Sequence, residues 1–563
     1  MSNFLIAPFR WRRCGNAVLV ASFLALSTAA AQEAPPPSTK PQSAAPALPK
    51  LEPPDGKWLV DEQGREYFPF EYSTRYPYIW LDAEPHKKVR LTLGMVMDVL
   101  SYDDSKIVVK VYRPEPVIVE PRAAPVDPAK IAAEFANDTV TADRLTFESF
   151  GQGLPEKGQW RNGFAVADMN RDGHPDIVHG PPRKAGIQPA IFLGDGKGHF
   201  HIWREARYPD LKLDYGDIQV ADLNGDRNPD LAIVSHLLGV VAMVGDGKGA
   251  FKLWNDGLEF KTEGESAPSF SSRAMLVRDW NRDGRPDILA LGDGPQFLMS
   301  RATGVEDPGA RGEIVYLNQG KGKWTSVRGP VVDDYGDSLA AGDFNADGKL
   351  DMATATHVWG STKILALQQA DGTFAPQAFP ALRPESSVRA VLARDLDSDG
   401  RDDLVVGYVS RQFTTWHGGI DVYYSRPEGW KRRALASWDG QARPHSFATG
   451  DVDGDGRVDL AASRSDGAIL LYLGDGKGWF VAEEGNELDA EQKGCASFRV
   501  VLANLDRQRG DEIVANFAGE EPARIGVPEV DNPRMAESCV SGGAIRAWKA
   551  RAQSGQPSTG SPR

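Results

Sequence analysis

The sequence predicts an all-β chain whose larger part is a seven-bladed β-propeller, and three observations predict it. An aspartate-rich segment recurs seven times in register. The spacing between copies leaves room for four short strands joined by tight turns. A strand-like stretch with no partner of its own precedes the first copy.

In chain order, the first 31 residues read as a secretory leader. Arg10, Arg12 and Arg13 precede the apolar run AVLVASFLALSTAAA, which ends in Ala29-Ala30-Ala31, a small-residue cleavage pattern. The run is shorter than the ~20 residues a spanning helix needs, and no later segment is long and apolar enough to span a bilayer. Export to a periplasm, cell surface or medium is the expectation. Residues 32–56 are rich in Pro, Ala and Ser and read as a tether. Residues 57–120 carry strand-like runs with DEQG and YDDS as turns, which predicts a small β-rich domain. A second proline-rich linker, 121–143, leads to the propeller at 144–550, and 551–563 form a polar, disordered tail.

The repeats begin FAVADMNRDGHPDIV at 164, IQVADLNGDRNPDLAIV at 218 and MLVRDWNRDGRPDILAL at 275. They continue LAAGDFNADGKLDMATA at 339, VLARDLDSDGRDDLVVG at 391, FATGDVDGDGRVDLAAS at 447 and VVLANLDRQRGDEIVAN at 500. Most units then offer another strand and a glycine turn, as in IFLGDGKGHF and LLYLGDGKGWF. Repeat seven supplies EIVANF and AIRAWKA but no fourth strand. The stretch RLTFESF before repeat one is expected to complete that blade and close the ring, because an open ring would leave an unpaired edge.

In the pattern D-x-[DN]-x-D-G-x-x-D, side-chain oxygens at positions one, three, five and nine can converge on one point. Hard oxygen donors in a flexible loop suit Ca²⁺, and the set contains no soft ligand for zinc or copper. The predicted ligands are Asp168, Asn170, Asp172 and Asp176; Asp222, Asn224, Asp226 and Asp230; Asp279, Asn281, Asp283 and Asp287. The set continues with Asp343, Asn345, Asp347 and Asp351; Asp395, Asp397, Asp399 and Asp403; Asp451, Asp453, Asp455 and Asp459. About six structural Ca²⁺ ions are expected. The seventh loop has Asn504, Asp506, Gln508 and Glu512 in the ligand positions, only two of them carboxylates, with Arg507 and Arg509 interposed, so no tight ion is expected there. Arg227 stands where the second loop needs its glycine, which predicts either a strained turn or a weaker ion. The tripeptide Arg509-Gly510-Asp511 lies inside the degenerate loop and is explained by the repeat.

This repeated pattern resembles the FG-GAP/VCBS family, which includes the propeller of integrin α-subunits. The resemblance covers about 144–550 and implies a calcium-stabilised ring. It says nothing definite about activity.

The 563 residues carry a formal net charge of −14, which argues against nucleic acid as a partner. Outside the leader the cysteines are Cys495 and Cys539, and an exported chain is expected to join them as a disulfide. Loops that follow strand two open opposite the aspartate hairpins. They and the entries to strand one bring His179, His236, His357, Trp359, Trp416, His417 and His445 to a candidate ligand face. Such a mix suits a carbohydrate or protein ligand. A binding or adhesion scaffold is the expected function. The alternative is a calcium-dependent polysaccharide lyase or hydrolase working on the same face, although no nucleophile elbow, HExxH or phosphate loop occurs.

Overall fold

The computed structural model describes the strands between residues 57 and 112, and 140–552 with its main gaps at 182–187, 261–269, 295–311, 330–334, 484–494 (Leu488 excepted) and 519–542. The expected leader and tether lie outside the described residues, as does the tail from 553 on; Arg551 and Ala552, read as the start of that tail, instead end a strand, because they pair with Thr146 and Leu145. The described residues contain strands and no helix, so none is long and apolar enough to cross a membrane.

The N-terminal strands form one five-stranded sheet in the order Leu59–Val60, Glu66–Ser73, Lys106–Tyr112, Val96–Tyr102, Lys88–Arg90. Its hairpin partners, such as Met97 with Val111, are antiparallel.

From residue 144 the chain builds seven sheets, each with four antiparallel strands, to which blade six adds a fifth. Blade two is representative: Ile218–Ala221, Asp230–Ser235, Gly239–Gly245 and Phe251–Leu253. Its second strand is buried throughout and its outermost strand is largely exposed, as expected of a sheet buried on both faces near a ring axis. The first strand of each blade packs against the first strand of the next, and the seventh packs against the first, so the ring is closed.

Seven apolar clusters fill the seven junctions between blades. Each contains the apolar residue at position two of an aspartate loop: Met169, Leu223, Trp280, Phe344, Leu396, Val452 and Leu505. All are at most 3% exposed. The side chain beside the first aspartate therefore plugs the junction with the following blade, which couples loop conformation to interblade packing.

The ring closes as the sequence predicts. Leu145–Ser149 pairs antiparallel with Ala544–Ala552, with Trp548 opposite Ser149 and Ala552 opposite Leu145. A second contact was not expected. Val140–Ala142, inside the stretch read as linker, runs parallel to the outer strand of blade six, with Val481 opposite Val140. The buried Glu483 carboxylate then accepts the amide N–H groups of Arg144 (2.5 Å) and Leu145 (2.6 Å). The N-terminal segment thus crosses from blade six to blade seven and fastens both.

Leu145 is 6% exposed and packs in the junction of blades six and seven. Leu145→Ala is expected to cost about 2–4 kcal/mol through lost burial and the cavity left behind, measured by urea denaturation of the full chain.

Candidate functional site: the aspartate hairpins and the channel mouth

Each aspartate loop joins the first and second strands of a blade. Position nine opens the second strand, and its carboxylate is completely buried in all of the first six blades. It is held by two backbone amides. In blade one, Asp176 accepts the N–H of Met169 at 2.8 Å and that of Gly194, on the third strand, at 2.9 Å. The arrangement recurs with Asp230, Asp287, Asp351, Asp403 and Asp459. Position nine thus ties the loop to strand three.

In three blades the residue donating that second amide also reaches the neighbouring blade. The side chains of Asn318, Gln368 and Ser425 donate to the carbonyls of Leu223, Trp280 and Phe344, each at position two of the preceding loop. Position one accepts the amides of positions five and six, as Asp168 does from Asp172 (3.0 Å) and Gly173 (2.8 Å). The turn needs left-handed backbone at positions four and six. Arg227 adopts φ +68° at position six, where five of the first six loops place glycine, so the strain predicted there is present.

These loops present oxygen donors that fit a hard cation. In blades five and six one oxygen each from Asp395, Asp397 and Asp403, and from Asp451, Asp453 and Asp459, lies within 4.8 Å of the others. Asp397 and Asp451 each keep a buried Oδ1 without a hydrogen-bond partner. Arg426 adds positive charge at the rim of the fifth loop, pairing with Asp397 and with Asp399. In the first four loops asparagine at position three offers a neutral amide oxygen instead.

The seventh loop is neutralised by the chain itself. The ammonium of Lys549, on the third strand of blade seven, pairs with Asp506 and lies 3.6 Å from Glu512. Gln508 Oε1 is 3.3 Å away. The loop that was expected to hold no tight ion has a lysine among its acids. The Arg509-Gly510-Asp511 tripeptide is also engaged there: Asp511 accepts the amide of Asp451 in blade six (2.9 Å), and Arg509 donates to the Gly454 carbonyl. Asp402 makes the equivalent link from blade five to Asp343.

On the opposite face, first strands enter around a channel mouth, and the cavity of about 480 Å³ there extends along these strands as far as Arg278 and Arg394 beside the aspartate loops. Seven arginines and two aspartates line the cavity. Five of the arginines, Arg161, Arg273, Arg389, Arg443 and Arg499, stand just before a first strand or within its first four residues. Backbone geometry explains their aim. The first strands of blades three, five, six and seven skip a register at Arg273, Arg389, His445 and Phe498. All four of these residues line the cavity. A β-bulge re-aims a side chain that strict alternation would send elsewhere.

The aspartates partner two of the arginines. Asp217 accepts from Arg499 Nη2 at 2.5 Å, and Asp337 pairs with Arg273 Nη2 at 2.8 Å. The Arg161 guanidinium lies 4.6 Å from the Phe498 ring centre and 5.4 Å from that of Tyr215.

The predicted face residues divide. His357 and His445 line the cavity. His357 lies 3.6 Å from Asp337 and edge-on to Tyr335; His445 stacks on Phe498 and bonds the Ser497 carbonyl at 2.8 Å. Burial, with arginines nearby, pushes both imidazoles down to about 3, so they are neutral at pH 7. His236 bonds Asp293 at 2.7 Å and leans on Tyr215. Trp359 and Trp416 meet edge-to-face at 5.6 Å, with Trp359 43% exposed, and His417 pairs with Asp439 at 3.1 Å.

His179 is not on this face. It is completely buried, stacked with Phe164 and edge-on to Trp160, and bonded to Gly180 O and Asn516. Burial lowers its pKa to about 4. Its place at the end of strand two suggested exposure, but the ring turns into the junction of blades seven and one. Cys495 is buried and disulfide-bonded; its expected partner, Cys539, lies outside the described residues.

The arginines were the residues missed by sequence reading. Their signal was a serine two places before arginine ahead of an apolar run: SSRAML at 271, SVRAVL at 387 and SFRVVL at 497.

Fold and loops define a repeat β-propeller whose hairpins are braced by aspartate. Residues 395–462 match the FG-GAP-like repeat family. That match and a seven-bladed ring with the loop pattern recurring in register fit an FG-GAP repeat propeller protein. No curated protein matches it. Among solved structures 203 chains match. One is BBS1N in complex with ARL6DN, from a crystal soaked with lead, at 11% identity and a TM-score of 0.38, covering 75% of this chain and 99% of that one.

Two predictions follow from the loops. Burial, with like charges nearby, raises Asp176, Asp351, Asp403 and Asp459 to about 7, and Asp230 and Asp287 to about 6, in the metal-free ring. The folded ring then holds protons that the unfolded chain has released. Metal-free stability is therefore full below the ordinary carboxylate range and is lost as pH rises through about 6–7. Melting in EGTA should decline between about pH 4.5 and 7.5, and excess calcium, which favours the charged carboxylates, should abolish that decline.

The second concerns the lysine. Lys549→Met leaves the buried Asp506 and Glu512 without their cation and should cost about 3 kcal/mol. Lys349→Met, at an exposed pair with Asp347, should cost less than about 1 kcal/mol. Chemical denaturation of both variants checks the contrast.

Proposed function

We propose that the protein is an exported, calcium-stabilised propeller that binds a ligand on the face around its channel mouth. The ligand class is carbohydrate or protein, and binding is the role rather than turnover. One observation carries the reading: a scaffold that repeats faithfully at its aspartate hairpins becomes asymmetric at the opposite face. There, bulges in four of the seven first strands turn Arg273, Arg389, His445 and Phe498 into one cavity.

The six complete loops would hold calcium through positions one, three, five and nine. The ion would neutralise carboxylates that otherwise repel one another within a few ångströms. Export rests on the arginine-led apolar leader and on the cysteine pair expected of an oxidising compartment.

A glycan array probed with the full-length mature chain in millimolar calcium, and again after EGTA, tests the proposal. Selective binding that is lost with EGTA, without depletion of the bound glycan over hours, is the expected result. Depletion of a uronic-acid polymer would move the reading to the lyase alternative.

A further inference from the structure

We propose that the channel mouth is an oxyanion site that takes the acidic group of a charged sugar, with Arg389 as its anchor. The inference rests on the binding reading above and narrows its ligand. The arginines outnumber the aspartates of the cavity, in a chain whose net charge is −14. Both aspartates are engaged, Asp217 with Arg499 and Asp337 with Arg273.

Arg389 is different. Among the described residues it has neither a hydrogen-bond nor an ion-pair partner, and its Nε is buried. Burial and the repulsion of Arg443 lower its pKa to about 10, with Asp337 only partly offsetting them. A cation placed there weakens the fold unless something negative enters the cavity. The chain nevertheless directs it inward with a bulge between Val388 and Ala390. A guanidinium presents a planar fork of donors matched to carboxylate or sulfate oxygens.

The surroundings favour a sugar as the carrier of that anion. About 480 Å³ is the volume of a small-molecule site. His357, which lines the cavity, is two residues from Trp359. Trp359, 43% exposed, stands edge-on to the half-buried Trp416 and offers a face on which a ring can stack, and Arg411 lies 5.6 Å from the Trp416 ring.

The test is calorimetric titration of the full-length mature chain in calcium with four probes. These are a uronic-acid oligosaccharide, its neutral methyl ester, a sulfated oligosaccharide and inorganic sulfate. The acidic sugars should bind at least tenfold more tightly than the ester and than sulfate, and more weakly as salt rises. The two acidic probes decide between carboxylate and sulfate as the oxyanion. Arg389→Met should weaken the acidic sugar at least tenfold while leaving the melting temperature unchanged or raised, because it removes an unpaired charge.

Equal binding of acid and ester, or unchanged affinity in Arg389→Met, overturns the anion site and leaves the scaffold reading intact. Sulfate binding as tight as the oligosaccharide overturns the sugar assignment. A lowered melting temperature in Arg389→Met overturns its role as anchor and makes it structural. If wild type binds none of the probes and the array is blank, both readings fall.

Discussion

The buried carboxylate at position nine is the interaction on which the rest of the ring depends. It lies where loop, second strand and third strand meet, and it binds a backbone amide on each side. In blades three to five the residue that donates one amide also reaches into the preceding blade. The loop therefore sets the distance between strands one and three and, through its apolar second residue, the packing of the next junction. A propeller has no single core. Its stability is a circuit of neighbouring contacts, and here every link of the circuit includes an aspartate hairpin.

That economy frees the other face. With the hairpins fixing the ring, the entries to the first strands can vary from blade to blade without loosening it. Bulges in four blades turn arginine, histidine or phenylalanine into the channel. The result is a positive well inside a negatively charged molecule, where low-dielectric walls concentrate the field. The repeat supplies rigidity, and departures from the repeat supply chemistry.

The parts of the fold legible in the sequence were those set by local rules. Glycine turns, alternating apolar runs and seven in-register loops gave blade number and strand order, and the unpaired RLTFESF gave the closing strand. The parts that were not legible depend on how elements meet. Nothing local distinguishes His179, which turns into a junction, from His357, which turns into the channel. Bulges leave little trace in a period-two pattern, so the arginines at the mouth looked like ordinary strand-entry residues. Lys549 lies 43 residues from Asp506 and joins it only because the third strand of blade seven passes the loop. The parallel contact at Val140–Ala142 has three residues and sits in a stretch whose prolines suggested only a linker.

Blade seven joins the two ends of the chain and cannot be completed until residues near 145 meet residues near 550, a closure whose loop entropy is paid late. It is also the blade whose loop brings its own cation. An ammonium tethered by the backbone has no concentration and cannot be chelated, diluted or outcompeted. The closing blade thereby carries its counter-charge within the chain, while the six loops proposed above to take dissolved ions lie in blades that can form from contiguous chain.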